Sequence, residues 1–327
     1  MGSTTHIWKE NEMTKNRGRL PQLDGQLMIT DGGLETDLIY HHGIDLPYFA
    51  AVDLLRSDDG TTTLRRYYDA YAEIARAHGV GLVLESPTWR ANPDWAVALG
   101  YSADELDRLN RKAIELLEAV RADYEAVVQN VVISGCIGPR GDGYVAGEMM
   151  SAQEAEAYHA GQIGVFNDSA ADMVCAITMT YVEEAVGVTR ASRAAGMPVA
   201  ISFTVETDGR LPSGLSLGDA IVQVDGESDG GPDYYMINCA HPTHFEDILE
   251  SGAPWIDRIS GLRANSSRKS HAELDEATEL DEGNPQELGA EYRALGTRLP
   301  ALSVLGGCCG TDHRHVGEIA SAWLESK

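Results

Sequence analysis

Three of the five cysteines are placed to act together. Cys308 and Cys309 are adjacent, between Gly306-Gly307 and Gly310, and Cys239 stands upstream after Asn238. Neighbouring cysteines make poor disulfides with each other, but on a glycine-bounded turn both thiols can face one ion. Three thiolates are soft ligands that select Zn2+ and leave a fourth position open. Structural zinc sites usually close all four positions with local CxxC pairs, and this chain has no such pair. The expected chemistry is that of an open, catalytic zinc whose fourth ligand is the substrate. A thiol suits that position, because coordination removes its proton and the thiolate is a strong nucleophile at neutral pH. Its natural reaction is in-line attack on an activated methyl group carried by a sulfonium or a quaternary ammonium.

Such residues must be brought together by the elements that carry them. Eight short apolar runs, each closed by Gly, Asn, Asp, Ser or Cys, read as buried parallel strands. They are Leu27–Thr30, Gly81–Glu85, Val131–Ser134, Met173–Ile177, Val199–Thr204, Tyr234–Asn238, Ile256–Ser260 and Leu302–Leu305. Amphipathic stretches of helical length lie between them, among them Thr61–His78, Asp104–Val127 and Ser151–Ala171. Each opens near a capping Ser, Thr or Asp. Eight β/α units predict a single (β/α)8 TIM barrel over residues 21–327, with residues 1–20 a loose N-terminal tail. Long polar loops are expected at Glu206–Gly214 and Arg263–Pro285. Active sites of such barrels sit at the C-terminal ends of the strands. The residues expected to converge are therefore Asp31-Gly32-Gly33, Glu85 to Trp89, Gly135 to Pro139, Thr178, Glu206, Cys239, Asn265 and Gly306 to Gly310.

Composition narrows the partners. The chain of 327 residues carries 51 acidic against 25 basic residues, a net charge of −26. An acidic surface repels nucleic acid and anionic membranes. No apolar run reaches the length of a membrane helix, and the polar N-terminus lacks the apolar region of a signal peptide. An odd number of cysteines argues against a disulfide scaffold, and the expectation is a cytoplasmic protein. A homo-oligomer is compatible with the sequence.

The motifs also form a pattern. Gly306-Gly307-Cys308-Cys309-Gly310-Thr311, followed by His315-Val316, resembles the GGCCGT-x-x-x-H-[IV] signature of the homocysteine S-methyltransferase family. Asn238-Cys239, Asp31-Gly32-Gly33 and Gly138-Pro139 resemble its other elements, so the likeness covers nearly the whole chain. It implies a zinc-dependent barrel in which Cys239, Cys308 and Cys309 hold the metal and are the catalytic residues. It implies further that Asp31 holds the ammonium of an amino-acid thiol, while the amides of Gly32 and Gly33 meet its carboxylate. Asn265 stands where the family often has Asn. The expected partners are a small thiol acceptor, homocysteine first, and a small methyl donor such as S-methylmethionine or S-adenosylmethionine, with methionine as product. No appended cobalamin or folate domain is expected within these 327 residues.

One departure bears on the acceptor. A Glu-Thr pair, usual after the fourth strand as a second ammonium clamp, is replaced by Ile177-Thr178. Asp31 then works alone, or Glu85 or Glu206 supplies the carboxylate, or the acceptor is a different small thiol or selenol. Trp89 could face a methyl-donor cation or simply pack on the barrel rim. Two rival readings are a zinc-barrel lyase or hydrolase using zinc-bound water, with Glu85 or Glu206 as its base, and a non-enzymatic metal or thiol binder.

Overall fold

The strand runs are apolar on both faces because both faces are covered. Every residue of β2 (Gly81–Glu85), β3 (Val131–Ile137), β5 (Val199–Phe203), β6 (Tyr234–Asn238) and β7 (Ile259–Ala264) is buried. With β1 (Met28–Ile29), β4 (Met173–Met179) and β8 (Val304–Gly307), these strands close in sequence order into an eight-stranded parallel barrel. The computed structural model describes residues 15–249 and 252–325. Among them no helix is long and apolar enough to cross a membrane.

Local chemistry sets the helix ends. Ser57, Asn92, Ser102 and Ser151 each accept a backbone N–H at a helix start, and Gly79 closes Asp58–His78 in the left-handed region with φ 65°. These caps are worth about 1 kcal/mol each. The apolar stripe of Asp58–His78 buries Leu64, Tyr67, Tyr68, Tyr71 and Ala75 against the barrel. Two layers of core result. One lies between strands and helices. The other fills the barrel itself with Met28, Val83, Val132, Met173, Cys175, Tyr234 and Met236. Cys175 is therefore a core residue.

Two strands lie further along the chain than the sequence suggests. Residues 256–258 form a turn of 3-10 helix, and β7 runs Ile259–Ala264 rather than Ile256–Ser260. The last strand runs Val304–Gly307 rather than Leu302–Leu305. The polar segment from Arg263 onward is thus strand for two residues and later holds a short helix, His271–Asp275. Residues 1–14 of the expected tail lie outside the described residues. Residues 15–20 do not behave as a tail. The Asn16 amide N–H donates to Asp172 Oδ1 (2.9 Å), its side chain to Val131 O (3.0 Å), and Arg17 Nη2 to Ala171 O (2.7 Å). The N-terminal ends of β3 and β4 present these acceptors, and buried acceptors need partners. Leu20, 3% exposed, joins the cluster inside the barrel.

Candidate metal and substrate site

The three cysteines arrive on two neighbouring frames. Cys239 follows β6 in a left-handed conformation (φ 53°), and its N–H donates to Arg263 O (3.1 Å). Cys308 follows β8, and its N–H donates to Ala264 O (2.8 Å). The loop after β1 must pass close by: a Cβ at Gly33 would stand 2.5 Å from Cys308 O, which only glycine avoids. Cys239 and Cys308 are joined as a disulfide, and Cys309 is free with its Sγ 3.8 Å from Cys239 Sγ. All three sulfurs lie within 4.8 Å of one another. Once the bond is reduced, the donor set is three soft sulfurs on one side of a cavity, which fits zinc. Burial raises the Cys309 pKa, against the pull of the Tyr144 hydroxyl, 3.4 Å from its sulfur. Tyr144 itself stacks on His271 at 4.1 Å.

The cavity has a volume of ≈ 390 Å³ and is mostly apolar with a few convergent polar groups, the usual character of a small-molecule site. Asp31, Gly32, Gly33, Glu85, Trp89 and Thr178 line it with the cysteines; Glu206 and Asn265 do not. The polar residues differ from expectation in what they hold. Asp31 is already engaged: Oδ1 accepts from Arg263 Nη2 (2.7 Å) and Oδ2 from Tyr67 OH (3.1 Å). Burial raises the Asp31 pKa, and the Arg263 charge opposes that rise. The Gly33 N–H is spent on Thr311 O (3.0 Å).

Glu85 does not pair with Arg90. It is 5% exposed, its Oε2 has no hydrogen-bond partner, and burial pushes its pKa up to about 7 against the lowering by Arg263. Glu206 turns outward, with Oε1 3.1 Å from His271 Nδ1, while His271 Nε2–H donates to Cys239 O (2.7 Å). It therefore supports the Cys239 turn from behind. Asn265 is buried, its N–H donating to Ala240 O (3.2 Å) and its Oδ1 unpaired. Thr178 (φ 62°) is held by Asn238, whose Oδ1 accepts the Thr178 N–H (2.9 Å). Trp89 has one ring face taken by a cation of the protein's own. The Arg90 guanidinium sits 4.0 Å from its ring and 3.8 Å from that of Trp95, a cation gripped between two indoles. His241 caps the turn at Pro242–His244 and His244 lies 2.9 Å from Arg268 O, so neither joins the cysteines. Cys136 is buried in the cavity wall.

Sequence reasoning missed Arg263, Tyr144 and Glu35. Glu35 lines the cavity, and burial pushes it up to about 7. Arg263 lies inside the buried β7, where a basic side chain needs a partner and finds it in Asp31.

A family profile described as Homocysteine S-methyltransferase matches residues 28–323. Methionine synthase of Mycobacterium tuberculosis (strain ATCC 25618 / H37Rv) is 25% identical over 329 residues, covering 93% of this chain and 25% of that protein. This chain thus spans about a quarter of that relative. Selenocysteine Se-methyltransferase of Brassica oleracea var. italica is 24% identical over 312 residues, covering 88% of this chain and 86% of that protein. The metallated form of the homocysteine methyltransferase MmuM from Escherichia coli has the same fold, with TM-score 0.69, 19% identity and coverage of 94% of this chain and 99% of that one.

Proposed function

The chain belongs to the homocysteine S-methyltransferase family, and from that premise we propose that it carries a methyl group from a sulfonium or quaternary ammonium donor to a small thiol, homocysteine first, held beside a zinc ion. One observation carries the reading: the sulfurs of Cys239, Cys308 and Cys309 gather within 4.8 Å at the strand ends, on the wall of the cavity. Cys239, Cys308 and Cys309 would hold the ion, which when bound would lower the pKa of the acceptor thiol, so that these residues would need no general base beside them.

The chain's own residues orient the reactants. His271 fixes the carbonyl of Cys239 and Tyr144 fixes the sulfur of Cys309. Such supporting hydrogen bonds set the direction of ligands. Asp31 is committed to Arg263, and Glu85 offers a buried, unpaired Oε2 to accept the acceptor's ammonium. Glu85 thus takes the place that Ile177 vacates. The carboxylates on the cavity wall, Glu35, Asp142, Asp275, Glu279 and Asp281, favour a cationic donor. The reaction is a direct displacement: the acceptor sulfur forms a bond to the methyl carbon while the donor's bond to that carbon breaks, and the donor leaves with the electron pair.

Reduced protein is expected to bind about one zinc per chain, and Cys308→Ser or Cys309→Ser to lose it. Metal analysis decides. Full zinc in a Cys239/Cys308/Cys309 triple variant would place the metal elsewhere. A selenol acceptor is the second reading, favoured by the near full-length likeness to a selenocysteine Se-methyltransferase. Comparing kcat/KM for homocysteine and selenocysteine separates the two.

A further inference from the structure

We propose that Arg263 is the anion-binding residue of the acceptor site, so that the acceptor is a thiol bearing a carboxylate read by a guanidinium rather than by backbone amides. The inference rests on the methyl-transfer reading and names the acceptor's chemistry within it.

A guanidinium has five N–H donors in a rigid fork. Three of those in Arg263 are spent. Nε donates to Gly307 O (3.0 Å), and Nη2 donates to Asp31 Oδ1 (2.7 Å) and Gly32 O (3.2 Å). Nη1 is buried with no partner, in a side chain 6% exposed that lines the cavity. A buried cationic donor left unmet is costly, and a carboxylate is its best geometric match. The incoming anion meets Nη1, while Asp31 occupies Nη2, so the two carboxylates use different edges of the fork.

Of the groups expected to hold the amino-acid head group, one of the two amides and the carboxylate meant for the ammonium are occupied. The Gly33 amide is bonded to Thr311 O, and Asp31 is half of an ion pair. The same cavity keeps one further unmatched polar atom of opposite character, Glu85 Oε2. A zwitterion places its carboxylate on Arg263 and its ammonium on Glu85. The frame is shared with the cysteines: Arg263 O accepts the Cys239 N–H, and Arg263 Nε grips the carbonyl of Gly307, the residue before Cys308. The spacing between thiol and carboxylate is therefore selected by one rigid unit.

The test is a calorimetric binding series on zinc-loaded protein with homocysteine, its des-amino analogue, its decarboxylated analogue and propanethiol, repeated in Arg263→Lys and in Asp31→Asn/Arg263→Gln. The double variant removes the buried pair together, since removing one partner alone strands a charge. In wild type the decarboxylated analogue is expected to bind roughly ten- to hundredfold more weakly than homocysteine, the worth of one charge-assisted pair. Arg263→Lys keeps part of that preference, and the double variant binds carboxylated and decarboxylated thiols alike. Propanethiol binding reports whether each variant still holds thiols. The proposal is overturned if wild type binds homocysteine and its decarboxylated analogue within about twofold, or if the double variant keeps the carboxylate preference. A preserved carboxylate preference with no methyl transfer from any onium donor sinks the proposed reaction and leaves the anion site standing.

Discussion

Glu85 combines a buried carboxyl, an unpaired Oε2 and a pKa raised from 4.5 to about 7, chiefly by burial. Between those two values the unfolded chain releases the proton while the fold retains it, so stability falls as pH rises across that window. By pH 8 the cost is roughly 3 kcal/mol, at about 1.4 kcal/mol per unit. Glu85→Gln removes this cost. Relative to wild type it should gain stability on going from pH 5 to pH 8, read from urea midpoints at both values. An equal effect at both pH values would show that burial does not hold this proton. The same residue has a functional signature with the opposite sense. In the proposed role Glu85 would grip an ammonium only when ionised, so kcat/KM for homocysteine should climb as pH rises through about 7. The des-amino analogue should lack that climb, and Glu85→Gln should raise KM for homocysteine and not for the analogue.

At the scale of the elements, the ends of β4 and β6 each carry a residue at positive φ, and one amide holds them together. Asn238 Oδ1 accepts from Thr178 N–H (2.9 Å) and Ser202 Oγ (2.6 Å), and its Nδ2 donates to Thr178 Oγ1 (2.9 Å). Thr178 and Cys239 both sit at positive φ, costing of order 1 kcal/mol or more each for non-glycine residues. Asn238→Ala leaves buried donors unpaired and should cost about 2–4 kcal/mol. It should also weaken zinc uptake, because the Cys239 turn is no longer fixed. Denaturation and metal content measured together check both, and a loss below about 0.5 kcal/mol would mean that the amide is not the clasp.

These particulars also show what a sequence can and cannot reveal. The barrel was legible because alternating apolar runs and amphipathic stretches recur eight times, and the cysteines because residue type at a strand end is a local fact. Arg263 was not. The apolar Ile256 pulled the expected seventh strand forward, which left Arg263 looking like the start of a loop. Its bond to Asp31 joins residues 232 apart, a contact no local pattern encodes. Glu206 looked equivalent to Glu85 by position, yet the chain after β5 turns it toward His271.

Over the whole molecule, the net charge of −26 should act on stability and on catalysis with opposite signs. Self-repulsion destabilises the compact state, and salt relieves it as the screening length falls to about 10 Å at 0.1 M. The folded protein should therefore gain several degrees in Tm, order of magnitude, between about 0.01 and 0.5 M sodium chloride. The cavity wall bears part of that charge, in Glu35, Asp142, Asp275, Glu279 and Asp281. A cationic methyl donor, as proposed, would be drawn inward by this field, and salt would weaken the attraction. Over the same range kcat/KM for a sulfonium donor should fall while Tm rises. The measurement is a pair of salt titrations, one by calorimetry and one by initial rates at low donor concentration. A donor whose kcat/KM rises with salt, or does not respond, would show that the wall carboxylates do not steer it. Charge reversal at Glu279 or Asp142, both remote from the cysteine ligands in sequence, should flatten the kinetic response and leave the rise in Tm nearly intact, because each changes only two units out of the total.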